Sequence, residues 1–310
     1  MEGKLTKILK QAFYLTKEFK FFWVLGLFLV WPNFLRGLLL LAFFSSWWIT
    51  HPLQQGYVAS AAISSNIWIG ITALLLIGLA VIYYFRSKGM LFALVSQLRT
   101  KKDINKTLGR EESEPYTIQL LKVGLGLVVV GFLIAAVLSA PTAYLSNNDY
   151  TSRAASLGIT ALLIYLPIFL IIYFTSIFSP MFIVLSRLNT GNSIRASFDL
   201  IRKNWTSLVS FCIVLFVLDI GAFFISSALA AIAATPFVLL LNVFYDNGGS
   251  VSLEVLQALA VITAFVVFFI SQAVVSAFDK IAWVIVFFEI IKPIKAQEIL
   301  DPETLPEIAS

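Results

Sequence analysis

Cysteine and histidine each occur once in this chain of 310 residues, and charged side chains make up only 13% of it. Each scarcity excludes something. A lone Cys212 can form no intramolecular disulfide, and with His51 alone there is no Cys/His cluster to hold a metal. His51 has no acid close to it in sequence, so no Ser/His/Asp arrangement stands out. Gly124, Gly126 and Gly131 are not followed by the Gly-Lys-Ser/Thr of a phosphate loop. No catalytic, cofactor-binding or metal-ligating residue is therefore assigned, and the chain reads as a protein that is not an enzyme. So few charges against 59% hydrophobic residues also exclude an ordinary water-facing surface.

What is present is apolar sequence, with a mean hydropathy of +0.91. Six stretches reach the roughly 20 apolar residues that a helix needs to cross a bilayer core. They are Phe21–Phe44, Ile67–Phe85, Ile118–Leu138, Leu157–Phe178, Trp205–Ala233 and Val255–Val275. The expected fold is all-α, a polytopic membrane protein of six transmembrane helices forming one membrane domain over residues 1–310. Pro32 and Pro167 should kink their helices, and Pro141 and Pro236 should mark helix stops. No small-residue cleavage site follows the first apolar run, which is expected to stay as a helix.

The net charge of +5 does not point to nucleic acid, because the bases lie beside apolar runs, where they would meet anionic lipid. Lys4, Lys7, Lys10, Lys17 and Lys20 precede the first span. Arg86, Lys88, Arg99, Lys101, Lys102, Lys106, Arg110 and Lys122 flank the second connection, where Glu111, Glu112 and Glu114 read as a solvated loop. Arg187, Arg195, Arg202 and Lys203 fall in the fourth connection, and Lys280, Lys292 and Lys295 after the last span. That puts 20 of the 22 Lys and Arg on one side, with Arg153 opposite and Arg36 inside a span. By the positive-inside rule both termini are cytoplasmic, in a plasma or bacterial inner membrane. Trp23, Trp205 and Trp283 would form an inner interfacial belt, and Trp47, Trp48, Tyr57, Tyr150 and Tyr245 an outer one.

The stretch Thr190–Trp205 has the period of an amphipathic surface helix. Ile194, Phe198, Ile201 and Trp205 make one apolar stripe, opposite Arg195, Asp199, Arg202 and Lys203. Ser193 or Asn192 is placed to cap it, and Asp199 precedes Lys203 in the favourable ion-pair order. Ser193, Arg195, Ser197, Phe198, Arg202, Lys203, Asn204 and Trp205 thus form a candidate interfacial motif. Moved back by ninety positions, Ser186–Thr190, Ser193, Ser197 and Phe198 meet Ser96–Thr100, Asp103, Thr107 and Leu108. In a fainter copy, Leu9, Lys10 and Phe13 match Ile194, Arg195 and Phe198. The expected unit is a cytoplasmic surface helix feeding a membrane hairpin, in three parallel repeats over residues 5–85, 103–178 and 193–292, with a polar tail at 293–310. The alternative is that such linkers look alike because they obey the same physics.

Two ionisable residues fall deep within spans. Arg36 and Asp219 each lie 16 residues, roughly 24 Å of helix, beyond a basic flank, and are expected to pair. The pair would either fix helix register or form a site for a proton or an anionic headgroup. Asp279 and Lys280 are not read as a pair, because adjacent helix positions do not face each other. Past them, Ile281–Ile291 either continues the last helix or begins a separate interfacial one. Ser271, Gln272, Ser276 and the three glycines read as close-packing and interhelical hydrogen-bond positions.

Pro180-Met-Phe-Ile-Val-Leu, followed by Ser193-Ile-Arg-Ala-Ser-Phe-Asp-Leu-Ile-Arg-Lys-Asn-Trp205, resembles the signature of the membrane-domain family found beside glycerophosphodiester phosphodiesterases, and of related six-helix bacterial membrane proteins. About fifteen residues carry the motif. Nothing in the sequence supplies the soluble phosphodiesterase barrel, so the resemblance implies a membrane fold and no enzymatic activity. The expected function is to organise lipids with anionic headgroups, or a membrane protein partner, through the basic surface helices. The alternative is a small-solute or lipid transporter with a site near Arg36 and Asp219.

Overall fold

The computed structural model describes residues 2–30, 67–100, 106–147, 151–245 and 250–291. Among these residues every regular element is helical: α1 (Glu2–Glu18), α2 (Phe21–Leu29), α3 (Ile67–Thr100), α4 (Lys106–Ser113), a 3-10 turn (Glu114–Tyr116), α5 (Thr117–Asn147), α6 (Thr151–Ser186), α7 (Thr190–Tyr245) and α8 (Ser250–Ile291). Five stretches, lying in α3, α4–α5, α6, α7 and α8, are long and apolar enough to cross a membrane. The chain is an all-helical, multi-pass membrane protein. The first expected span is described only as far as α2, and Arg36, Pro32 and His51 lie outside the described residues.

The helices overrun their expected ends. Helix α8 has 42 residues, roughly 63 Å, about twice the hydrocarbon thickness of a bilayer, and Ile281–Ile291 continues it rather than starting a new element. Pro141 and Pro236, expected as stops, lie inside α5 and α7. A proline removes one backbone donor, and the apolar residues after Pro236, Phe237–Leu241, still need helical bonding to satisfy their own backbone groups. Helix α6 ends where Arg187 takes a left-handed φ of 54°, which lets the Leu188 N–H reach back to the Phe182 carbonyl at 3.3 Å.

The chain divides into two compact units, residues 1–88 with 212–282 and residues 89–211 with 283–310. All three boundaries fall inside helices, in α3, α7 and α8. The second unit is built on aromatic rings. The fully buried Trp283 meets Phe174, Phe178 and Phe211 edge-on at centroid distances of 5.9, 5.7 and 4.9 Å, and Phe287 extends the stack to Phe178 and Phe182. Trp283 is therefore core, not interfacial belt, because three rings close around a position that periodicity places beside charges. In the first unit α2 buries Phe22, Leu25 and Leu29. Its Gly26 lies so close to the Ala273 carbonyl of α8 that any Cβ there would overlap it, and Phe28 stacks on Tyr83 at 5.5 Å. Close packing is not found at Gly126, where nothing approaches within 4 Å, and at Gly131 a Cβ would meet Ile172 at an ordinary 3.9 Å.

Exposure changes along each long helix. In α6 Leu157, Ile159 and Leu162–Ile164 are exposed while Phe174 and Ile177–Val184 are buried. In α7 Leu200, Leu208 and Phe211 are buried, and the exposed apolar run starts at Ile213. In α8 exposed residues extend from Val255 to Ile270 and buried ones from Gln272 to Phe287. Each helix thus has a protein-packed part and a part whose large apolar side chains have no protein cover.

The Gly26 contact gives a direct test. Gly26→Ala must push two backbones apart and is expected to cost about 1–3 kcal/mol, whereas Gly78→Ala, with open space around it, should be neutral or stabilise by up to about 1 kcal/mol. Thermal unfolding in detergent micelles distinguishes them, and equal effects would contradict the close approach.

Candidate functional site

In α7 the residues from Thr190 to Lys203 form a separate helical segment, because Asn204 leaves helical geometry (φ −125°, ψ 22°). The kink is braced locally. The Asn204 side-chain Nδ2 donates to the Leu200 carbonyl one turn back at 3.0 Å, which fixes the side chain across the kink. The start is capped by Asn189, whose Oδ1 accepts the Asn192 N–H at 2.9 Å. Asn192 and Ser193 do not cap it, since the helix begins at Thr190 and both already lie inside.

The buried face of this segment is Ser193, Ser197, Leu200 and Ile201, turned about a quarter turn from the stripe that hydropathy selects. Small hydroxyl side chains let this segment approach α6 closely. Ser193 Oγ lies 2.8 Å from Ser179 Oγ, with both residues fully buried, and Ser197 Oγ donates to the Ser193 carbonyl at 2.7 Å. Of the expected stripe only Ile201 is fully buried; Ile194 is half-buried and Phe198 stands 49% exposed. Trp205 is half-buried, edge-on to Phe174 at 5.9 Å. Arg195, Asp199, Arg202 and Lys203 are exposed. The expected pairing of Asp199 with Lys203 is not among the ion pairs of the described residues, in keeping with the small gain from an exposed pair. Glu111, Glu112 and Glu114 are exposed as expected, but they sit on α4 and the 3-10 turn rather than in a loop, and Glu112 accepts from Gln97 at 3.1 Å.

Helix α1, in the first unit, is built alike. Ala12 and Thr16 are buried, Phe13 and Tyr14 are 63% and 60% exposed, and Lys7, Lys10 and Lys17 are exposed. The helix breaks at Phe19–Lys20. There the Trp23 indole N–H donates to the Thr16 carbonyl at 2.7 Å, taking the place of the missing helical donor. Beside this break lies a cavity of about 520 Å³ walled by α1–α2, by Val217–Ile225 of α7 and by Val274, Val275 and Phe278 of α8. Its lining is apolar apart from Thr16, whose hydroxyl donates to the Ala12 carbonyl, and the two charges Lys17 and Asp219.

A second polar group lies in this unit, of which the sequence reading anticipated Gln272 and Ser276 but not the pairing of Asp279 with Lys280. Gln272, Ser276 and Asp279 recur along one buried face of α8. Gln272 Nε2 donates to Ser226 Oγ of α7 at 3.1 Å, the kind of interhelical bond expected of it. Asp279 and Lys280 do form an ion pair, at 2.6 Å. Periodicity forbids adjacent side chains from facing each other in isolation, but a long ammonium stem can curl back onto a buried carboxylate when the surroundings are apolar. Lys88 of α3, only 5% exposed, lies within electrostatic reach of both, and its ammonium sits 5.9 Å from the Tyr84 ring centroid. The signal available in the sequence was the spacing of Gln272, Ser276 and Asp279 inside an apolar run.

Compared with protein-family models, with curated proteins and with solved structures, the chain matches none.

Two measurements probe these arrangements. Asp279→Ala leaves two lysines together in apolar surroundings and is expected to cost about 3–5 kcal/mol, most of which a combined Lys88→Met, Asp279→Leu and Lys280→Met exchange should restore. A double-mutant cycle of Ser179→Ala and Ser193→Ala should show a coupling of about 0.6 kcal/mol; a coupling of zero would mean the two hydroxyls do not bond.

Proposed function

We propose that the protein is a non-catalytic membrane protein that organises lipid at the cytoplasmic face through basic surface helices. The observation that carries this reading is the exposure of large aromatic residues beside exposed bases: Phe13 and Tyr14 with Lys7, Lys10 and Lys17, and Phe198 with Arg195, Arg202 and Lys203. An exposed ring in a row of cations suits the boundary between headgroups and acyl chains, and anionic lipids are the partner with complementary charge.

The proposal includes six spans, cytoplasmic termini and a threefold repeat. Helix breaks support the repeat. The alignment that superposes Phe13 on Phe198 puts Phe19 on Asn204, and the one that superposes Leu108 on Phe198 puts Glu114 there. All three positions are where a surface helix gives way to the next element. The burial pattern is shared by the first and third copies, in which Ala12 and Ser197 correspond and are fully buried; in the second, the exposed Thr107 takes that place. Resemblance to the six-helix membrane-domain family fits this layout. The rival reading, a transporter using Arg36 and Asp219, draws less support, since the cavity reaching Asp219 is walled by apolar residues and suits an amphiphile better than a small polar solute.

In nanodiscs holding equal anionic and zwitterionic phospholipid, mass spectrometry should find the anionic lipid enriched around the protein. Neutralising Arg195, Arg202 and Lys203 to Gln should reduce the enrichment by up to about fivefold per base, from about 1 kcal/mol each. Absence of enrichment around the unaltered protein would sink the reading.

A further inference from the structure

We infer that the cavity beside the α1–α2 break is a groove that seats a hydrocarbon chain of a membrane lipid and selects it by the chain rather than by the headgroup. The inference goes beyond the surface-helix reading above and does not depend on it. Every wall of the groove belongs to the first unit. Two of them, Val217–Ile225 of α7 and Val274–Phe278 of α8, lie within stretches long and apolar enough to cross a membrane.

The chemistry of the wall excludes water and polar solutes. Its polar groups are engaged inside the chain: the Thr16 hydroxyl donates to the Ala12 carbonyl, the Trp23 indole N–H donates to the Thr16 carbonyl, and Asp219 has interactions of its own. Nearly all the surface that remains is hydrocarbon. Water stays ordered in a protein only where several polar groups hold it, and a space left unfilled forfeits the dispersion contacts of every side chain around it. The occupant is therefore apolar.

Geometry decides which apolar occupant. Along α7 the groove runs from Val217 to Ile225, about 12 Å of helix. Its volume of about 520 Å³ spread over that length gives a mean cross-section of about 43 Å². A helix with its side chains is at least about 10 Å across, or roughly 79 Å² in section, so a partner's transmembrane helix is too thick. A methylene chain is not. Val217, Leu218 and Ile225 both line the groove and are exposed, so it opens onto the uncovered apolar face of α7, which in a bilayer meets acyl chains. Two contacts keep the seat in shape. The Trp23 ring is tethered by its bond to Thr16, and the approach of Gly26 to the Ala273 carbonyl holds α2 against α8.

Gly221 makes the site testable. It borders the groove, and a Cβ placed there meets nothing within 4 Å, so Gly221→Phe can fill the space without disturbing α7. The full-length protein is placed in nanodiscs of phosphatidylcholine bearing a photoreactive diazirine midway along one chain, and separately of phosphatidylglycerol with the same chains. After irradiation the labelled peptides are mapped by mass spectrometry. Val128, Val129 and Phe132 of α5, exposed but outside the groove, report ordinary contact with surrounding lipid. Label on Val217–Ile225 should exceed theirs by at least about threefold, equally for both headgroups. Gly221→Phe should bring it down to the α5 level and leave α5 unchanged, with Ala222→Leu as a second filling variant should the first fail to fold. Label in the groove no higher than on α5, or undiminished label in both filling variants, would overturn the inference. So would a headgroup preference as large as the expected excess, or a second polypeptide that co-purifies with the unaltered protein and is lost from Gly221→Phe. Neutralising Arg195, Arg202 and Lys203 should leave the groove label as it is, so that either reading can fail without the other.

Discussion

A backbone carbonyl that leaves its helix in an apolar environment has to find another donor, and much of this architecture follows from how that is done. Water is scarce around apolar helices, so a carbonyl freed at a helix break there calls for a side-chain donor. At the first break the substitute is the Trp23 indole on the Thr16 carbonyl, and at Asn204 the residue's own side-chain amide adds a bond to the Leu200 carbonyl. The donors differ in chemistry, but each sits within a turn or two of the carbonyl it serves. With the carbonyl satisfied, the helix can change direction, keeping the basic segment apart from the long apolar helix that follows.

The same scarcity of water governs the charges. Asp279, Lys280 and Lys88 are held together because separating any one of them in an apolar interior is costly. Gln272 and Ser226 apply the principle to uncharged groups. Inside the first unit these polar groups are bound to one another, whereas Lys7, Lys10 and Lys17 of α1 stay exposed.

Helical class, the presence of several long apolar helices and the boundary near Asn204 were legible in the sequence, because hydropathy over twenty residues and the period of an amphipathic helix are strong signals. The faces were not. Ser193 and Ser197 carry little hydrophobicity, so periodicity ranks them below Phe198, yet their small size is what allows close approach to α6. Pro141 and Pro236 read as stops because water-soluble helices end there, a rule that weakens where exposing backbone costs more than a kink. Trp283 and Lys280 were assigned to a surface by their neighbours in sequence, whereas rings and a carboxylate from elsewhere in the chain decide their place.

The division into units has a consequence in time. The first unit joins residues 1–88 to 212–282, and Gly26 of α2 has its close partner at Ala273. At 5–20 residues per second, a ribosome needs roughly 6–25 s to pass from Lys88 to Cys212. Through that interval α2 and the first part of α3 have been made but lack the helices that will bury them. Residues 89–211, which follow one another directly, make up most of the second unit and can begin to assemble sooner. The last part of α8, made after these residues, then supplies Trp283 and Phe287 to a core whose other rings are already present.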